Sequence, residues 1–294
     1  MCRESNEVMC HIVPSFMLEA MAQSPDASVR GAALKNIAAA ERARTTRATL
    51  AEARPQMRSI VPIDASSKLY RVVHDSKLKD NLNGKAVRQE GDPNTGDMEI
   101  DEAYRFAGDV HSFYKKVLGR NSLDDHGLTL KSSVRYREYP DHPYNNAFWW
   151  RRQMGYGDGD GIVFKRFTAS LDVIGHELTH GVVEYTANLV YRSEPGALNE
   201  SFADVFGSMI KQWRKKQKVD KADWLIGNDL IIPAPTRKAL RSMSAPGTAY
   251  KNDPHLQSDP QPDHVKNKYK GSADDHGVHV NSGIPNHAFY TTAM

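Results

Sequence analysis

Apolar residues recur along this chain at two different spacings, and the change from one to the other falls near residue 170. Beyond that point Leu171, Ile174, Leu178 and Val182 return every three or four positions, as do Phe202, Val205, Phe206, Met209, Ile210 and Trp213. Side chains so spaced share one face of a helix, which predicts two amphipathic helices flanking a loop that contains Pro195 and Gly196. Between residues 69 and 167 the pattern is instead short β-prone pieces, at 69–73 and 133–137, separated by Gly, Asp and Asn turns. An amphipathic stretch over 100–118 interrupts them. Residues 27–53 are rich in Ala and Arg, good helix formers, and Pro55 and Pro62 then punctuate the chain. The prediction is an α+β protein: a helical leader and linker start over 1–50, a mixed α/β lobe over 51–168 and a mainly helical lobe over 169–294.

Composition narrows this picture. With 294 residues and 39% apolar content, the chain can fill the cores of two globular domains. A net charge of +3 is too small to argue for nucleic acid, and the densest basic run, 214–221, reads as a solvated helix end or loop. The first 23 residues carry Arg3, Glu4, Glu7 and Glu19, so they lack the uninterrupted apolar run of a signal peptide or membrane helix. Neither an export signal of the usual kind nor a membrane partner is expected. Only Cys2 and Cys10 are present, far from the histidine-rich centre. They read as reduced bystanders, the alternative being a leader thiol that caps a metal.

Candidate chemistry gathers on the two predicted helices. In His176-Glu-Leu-Thr-His180 the imidazoles, four residues apart, project from one helical face and can converge on one cation. Glu177 sits about 100° further round, within reach of a water on that cation. Paired helical histidines are also common on plain surfaces, so the second helix matters. There Glu200 and Asp204 are again four apart, bracketed by apolar residues. If the helices pack side by side, Glu200 completes a three-ligand zinc site with one open position. Asp204 then accepts a hydrogen bond from the far nitrogen of a ligand histidine. With zinc bound, Glu177 is the general base of an amide hydrolysis, the oxyanion donors coming from elsewhere in the chain.

Seven segments in order extend this pattern: Asn145-Asn-Ala-Phe-Trp149, Tyr156-Gly-Asp-Gly-Asp-Gly161, Asp172 through His180, Glu184 through Tyr191, Gly196-Ala-Leu-Asn-Glu200, Leu240-Arg-Ser-Met-Ser244 and Asp274 through Gly283. Together they resemble the thermolysin family of gluzincin metalloendopeptidases, from about Leu69 to the last residue. The resemblance implies a two-lobe fold whose helical lobe is cut short at Met294. It further implies that Tyr191 and His279 donate to the oxyanion, Asp274 orienting His279. Asn146 and Ala147 would hold an extended substrate backbone and Arg241 would contact a substrate carbonyl. Val173 and Leu240 would line the pocket just after the scissile bond, favouring cleavage before bulky hydrophobic residues. Val13-Pro-Ser-Phe-Met-Leu18 is similar to the short propeptide motif of the protealysin-like branch. That likeness implies an intramolecular inhibitor, cut within 50–63, where Leu50, Met57 and Ile60 offer apolar sites; the plain alternative is a disordered basic tail. Release from the cell without an ordinary signal peptide follows, with a cytoplasmic location as the alternative.

One departure from the family concerns calcium. Where thermolysin builds a double calcium site from acidic residues, this chain reads Asp172, Lys211, Asp223, Leu225 and Asn228. An ammonium and an apolar side chain among them argue against a cage of hard oxygen ligands, so the double site is expected to be absent. Lys211 is expected to pair with Asp172 or Asp223. Protein or peptide substrates are the expected partners. The rival reading is an inactive zinc-bearing scaffold that binds peptides, and a weaker one a metal-dependent hydrolase of something else.

Overall fold

A computed structural model describes residues 10–53 and 68–294. In chain order the elements are β1 (Cys10–His11), α1 (Ser15–Met21), α2 (Ala27–Ala53), β2 (Arg71–Lys79), β3 (Lys85–Gln89), α3 (Met98–Leu118), β4 (Leu130–Tyr136), β5 (Ala147–Trp150) and β6 (Gln153–Tyr156). There follow α4 (Leu171–Tyr185), α5 (Ser193–Lys215), β7 (Leu225–Ile226), β8 (Arg241–Ser242), α6 (Ala273–Asn281) and α7 (Gly283–Ala293). The expected order, helical leader, mixed middle, helical end, is the order observed. Cys2, Met57 and Ile60 lie outside the described residues, as does most of the linker expected to be cut.

Six strands form one mixed sheet in the order β1-β5-β6-β4-β2-β3, with β4 parallel to both β2 and β6 and the remaining pairs antiparallel. The leader thus supplies an edge strand to a sheet otherwise built from residues 71–156. α3 lies across β2 and β4. Its ends carry the expected signals: the Asp97 side chain accepts from the N–H groups of Glu99 and Ile100, and Gly119 closes it at φ 69°. Its inner face, including Ile100, Tyr104, Val110 and Phe113, is buried in the continuous core that also holds α4.

α4 and α5 pack against each other at unusually short range. A Cβ on Gly175 would lie 3.1 Å from the Cα of Gly207, and one on Gly207 would lie 2.5 Å from the Asp172 carbonyl oxygen. Two glycines therefore let the backbones meet where side chains must converge. Pro195 and Gly196 are not in a loop as the periodicity suggested, because α5 already begins at Ser193. Proline is tolerated in a first helical turn, where its missing N–H would have no partner. A Cβ on Gly196 would meet the Val278 side chain and the Tyr191 backbone.

Lys211 further joins the two helices. Its Nζ lies 2.9 Å from Asp172 Oδ2, 3.0 Å from Asp223 Oδ1, 2.6 Å from the Leu225 carbonyl and 3.2 Å from Asn228 Oδ1. It pairs with both aspartates rather than one. Burial alone would raise the Asp172 carboxyl, but Lys211 outweighs it and holds Asp172 below the ordinary carboxylate range. Burial would lower Lys211, and Asp172 with Asp223 hold it above its ordinary value.

Candidate metal centre

His176 and His180 on α4 and Glu200 on α5 bring one ligand atom each to within 4.8 Å of one another, all buried. Nε2 of His176 and Nε2 of His180 are 3.0 Å apart, and the Glu200 carboxylate lies 3.4 Å from each ring. Both far nitrogens are engaged: His176 Nδ1 donates to Asp204 Oδ1 at 2.8 Å and His180 Nδ1 to Asn199 Oδ1 at 2.9 Å. These bonds fix the tautomer, so that each Nε2 presents a lone pair to the same point. Burial pushes both imidazoles down to about 4, keeping them neutral, the form that ligates a metal. Among the described residues Glu200 Oε2 is a buried oxygen with no hydrogen-bond partner. Two facing lone pairs and an orphaned carboxylate oxygen in a dry site fit a divalent cation, and a histidine pair with one carboxylate suits zinc.

A ring of charged groups surrounds this point. Asp204 accepts from Arg241 Nε and Nη2, both at 2.8 Å, and from Asn286 Nδ2 at 2.8 Å. Burial would raise Asp204, yet Arg241 and His176 hold it well below the usual carboxylate range. Glu177 is fully buried. Its Oε2 accepts from the Trp149 backbone N–H at 2.9 Å, and its Oε1 is buried without a hydrogen-bond partner among the described residues. Burial, with the Glu200 charge second, pushes the Glu177 carboxyl up. Tyr191 Oη donates to Glu200 Oε1 and lies 3.1 Å from His279 Nε2. His279 Nδ1 donates to Asp274 Oδ1 at 2.6 Å. Burial alone would lower His279, but Glu200 and Asp274 outweigh it and raise the ring to about 9.

The leader runs through the middle of this constellation. β1 pairs with β5, Cys10 opposite Trp149 and His11 opposite Phe148. Ile12 N–H donates to the Ala147 carbonyl at 3.2 Å, and Val13 N–H to Asn146 Oδ1 at 2.9 Å. In return Asn146 Nδ2 donates to the Val13 carbonyl at 3.1 Å and Arg241 Nη1 to the Ile12 carbonyl at 3.1 Å. His279 Nε2 donates to the His11 carbonyl at 2.9 Å. The Ile12 side chain is fully buried and belongs to the same apolar cluster as Val173 and Leu240. His176, His180, Glu200, Glu177, Asp204, Tyr191, His279, Asp274, Arg241, Asn146 and Ala147 are thus linked to one another or to the leader by the contacts above, while Val173 and Leu240 share with Ile12 only membership of the main apolar core.

Two family models match consecutive stretches, the thermolysin metallopeptidase catalytic domain over residues 51–184 and its alpha-helical domain over residues 187–294. The chain belongs to the thermolysin metallopeptidase family. It is 50% identical over 231 residues to Protease PrtS of Photorhabdus sp. (strain Az29), a match covering 78% of this chain and 61% of that protein. It is 48% identical over 241 residues to an extracellular metalloprotease of Pectobacterium carotovorum subsp. carotovorum, covering 82% of this chain and 67% of the relative. The precursor of protealysin, a metalloproteinase from Serratia proteamaculans, superimposes with a TM-score of 0.84 at 42% identity, over 97% of this chain and 80% of that one.

Sequence reading missed three partners. Asn286 lies outside all seven segments, whereas Asn199, directly before Glu200, and Glu184 each fall within one but had no role assigned. Glu184 accepts from Trp149 Nε1 at 2.9 Å, tying α4 to β5 beside the cleft.

Proposed function

We propose that this chain is a zinc-dependent endopeptidase that cuts peptide bonds before bulky hydrophobic residues and is made with an inhibitory leader. The observation that carries this reading is the His176, His180 and Glu200 triad with Glu177 beside it, in a cleft already holding an extended peptide. Zinc held by the triad would supply Lewis acidity at the substrate carbonyl and at a water. Glu177 would take a proton from the attacking water and pass it to the departing amide nitrogen, a role suited to a buried carboxylate next in sequence to His176. Tyr191 and His279 donate to the developing oxyanion. Asp274 keeps His279 charged and aligned, and Asp204 fixes the tautomer of the neutral His176 ring.

Substrate is held as an added strand on β5. Asn146, Ala147 and Arg241 bind its backbone, as they bind residues 12 and 13 here. Ile12 then marks the position just after the cut, and Val173 and Leu240 favour large apolar side chains there. In this register the leader fills the cleft from residue 10 to residue 13 and excludes other peptides, so it is the intramolecular inhibitor of a zymogen spanning about the first 50 residues. The mature lobes would be 51–168 and 169–294. The relative named as an extracellular metalloprotease and the neighbour named as a precursor support release from the cell and processing. No helix among the described residues is long and apolar enough to cross a membrane.

The test is a quenched peptide with Leu or Phe after the scissile bond, given to zinc-loaded protein and to a Glu177→Gln variant, with zinc per chain measured by elemental analysis. One zinc per chain, turnover lost in the variant and amino-terminal shortening only in the unaltered chain are expected. Zinc bound, with equal background turnover in both, would leave a peptide-binding scaffold.

A further inference from the structure

His279 hangs from an improbable piece of backbone. Asp274, Asp275 and His276 adopt φ of 56°, 48° and 67°, followed by Gly277 at 81°. Each non-glycine residue in this left-handed region costs about 1–2 kcal/mol, so the turn must be held from outside. On one side Asp274 holds it: Oδ2 accepts from the N–H groups of His279 (2.8 Å) and Val280 (3.2 Å), and Oδ1 takes the ring. On the other side α6 passes into α7 at Ser282, and the His279 carbonyl lies in the turn before that junction.

That carbonyl is taken by Gln261. Its Nε2 donates to the His279 carbonyl at 2.7 Å and to Ser282 Oγ at 3.1 Å, and Ser282 Oγ donates to the same carbonyl at 2.8 Å. Gln261 is itself braced. It stands between Pro260 and Pro262, which fix their own φ and keep Gln261 extended. Its N–H donates to Asp259 Oδ1 at 3.0 Å, while Asp259 Oδ2 accepts from Gly247 and Ala249. The amide is therefore delivered from a stiff bracket anchored in another loop. Gln261 is 4% exposed, and its Oε1 is buried without a hydrogen-bond partner among the described residues. An apolar side chain of equal length would fill the space without that cost of about 1–3 kcal/mol.

We infer that Gln261 is a positioning residue for His279: through the His279 carbonyl it sets where the ring presents Nε2 to the substrate oxygen. The inference rests on the endopeptidase reading above, and its test separates the two. Gln261→Met keeps the shape and removes the donor. In full-length, zinc-loaded chain carrying Ile12→Asp to loosen the leader, Gln261→Met should lower kcat about tenfold or more with KM within about twofold. In a His279→Ala background the same change should leave kcat within about twofold, because its effect passes through the missing ring. Equal losses in both backgrounds, or a KM rise with kcat intact, would overturn the inference. A readout independent of turnover is 15N-edited NMR of the otherwise unaltered chain. The His279 Nδ1–H, held to Asp274, should give one slowly exchanging signal that broadens in Gln261→Met; an unchanged signal would also overturn it. If every variant lacks turnover while the NMR change appears, the endopeptidase reading fails and the positioning role stands.

Discussion

Replacing Lys211 by methionine removes one ammonium and leaves its surroundings in place. Asp172 would then be a fully buried carboxylate holding only the N–H groups of Val173 (2.9 Å) and Gly227 (3.2 Å) and the Ser170 hydroxyl (2.5 Å). Lys211 is 1% exposed and Asp172 0%, so solvent screens neither. Breaking a buried pair from one side costs about 3–5 kcal/mol, which for a body of this size is a fall in Tm of about 10 °C. The sign with pH is set by the same pair. Asp172 sits below the ordinary carboxylate range when folded, so its contribution is present above that range and disappears as pH falls through the folded value. Without Lys211, burial raises Asp172 against the Ser170 and Gly227 hydrogen bonds, and acid should narrow the gap between variant and parent. Lys211→Met with Asp172→Asn should recover most of the loss. Because the ammonium occupies the place where hard-cation ligands would meet, added calcium should leave Tm of the parent unmoved; this is our proposal for the absent double site. Differential scanning calorimetry from pH 4 to pH 8, with and without calcium, reads all of this. A loss under about 1 kcal/mol, or full rescue of Lys211→Met by calcium, would refute the reasoning.

Gly207→Ala should force α4 and α5 apart, since its Cβ would meet the Asp172 carbonyl at 2.5 Å and the His176 nitrogen at 3.2 Å; a loss of about 1–3 kcal/mol and weaker zinc retention under chelator are expected. Glu99 is partly buried, with one oxygen buried and unpaired among the described residues, and burial raises its carboxyl to about 7. Its contribution to stability is present below its ordinary value of 4.5 and disappears as pH rises through 7, so Glu99→Gln should gain about 1–3 kcal/mol over the parent at pH 8 and nothing at pH 4 by urea unfolding. Ile12→Asp places a charge in an apolar pocket and should loosen the leader, seen as faster hydrogen exchange over residues 10–21 and at least a tenfold rise in initial turnover of a reporter peptide. Unchanged exchange in that variant would mean that Ile12 does not anchor the leader.

The metal triad was legible because its information is local. His176 and His180 share a helical face by spacing alone, and Glu200 with Asp204 repeats that spacing within an apolar frame. The helices at 98–118 and 171–185 followed from the same periodicity to within a turn at their ends, whereas the one at 193–215 begins more than two turns before the first periodic position, Phe202. What could not be read was long-range. That Asn146 would meet Val13 across 133 residues, or Gln261 the carbonyl of His279, depends on how loops return to the site. Neither contact leaves a period or a spacing in the chain. The strand at 10–11 is too short to announce itself and exists because β5 has an edge to offer.

That edge carries a consequence for handling the protein. Residues 10–12 cover the outer edge of β5, Cys10 opposite Trp149, His11 opposite Phe148 and the Ile12 N–H on the Ala147 carbonyl. Removing them would open that edge, the Ala147 carbonyl included. Such a rim accepts any extended chain, including a frayed segment of a second copy. The activated protein should therefore self-associate and digest itself more readily than the intact one. Residues 10–13 then guard the sheet against its own kind as much as they guard the cleft.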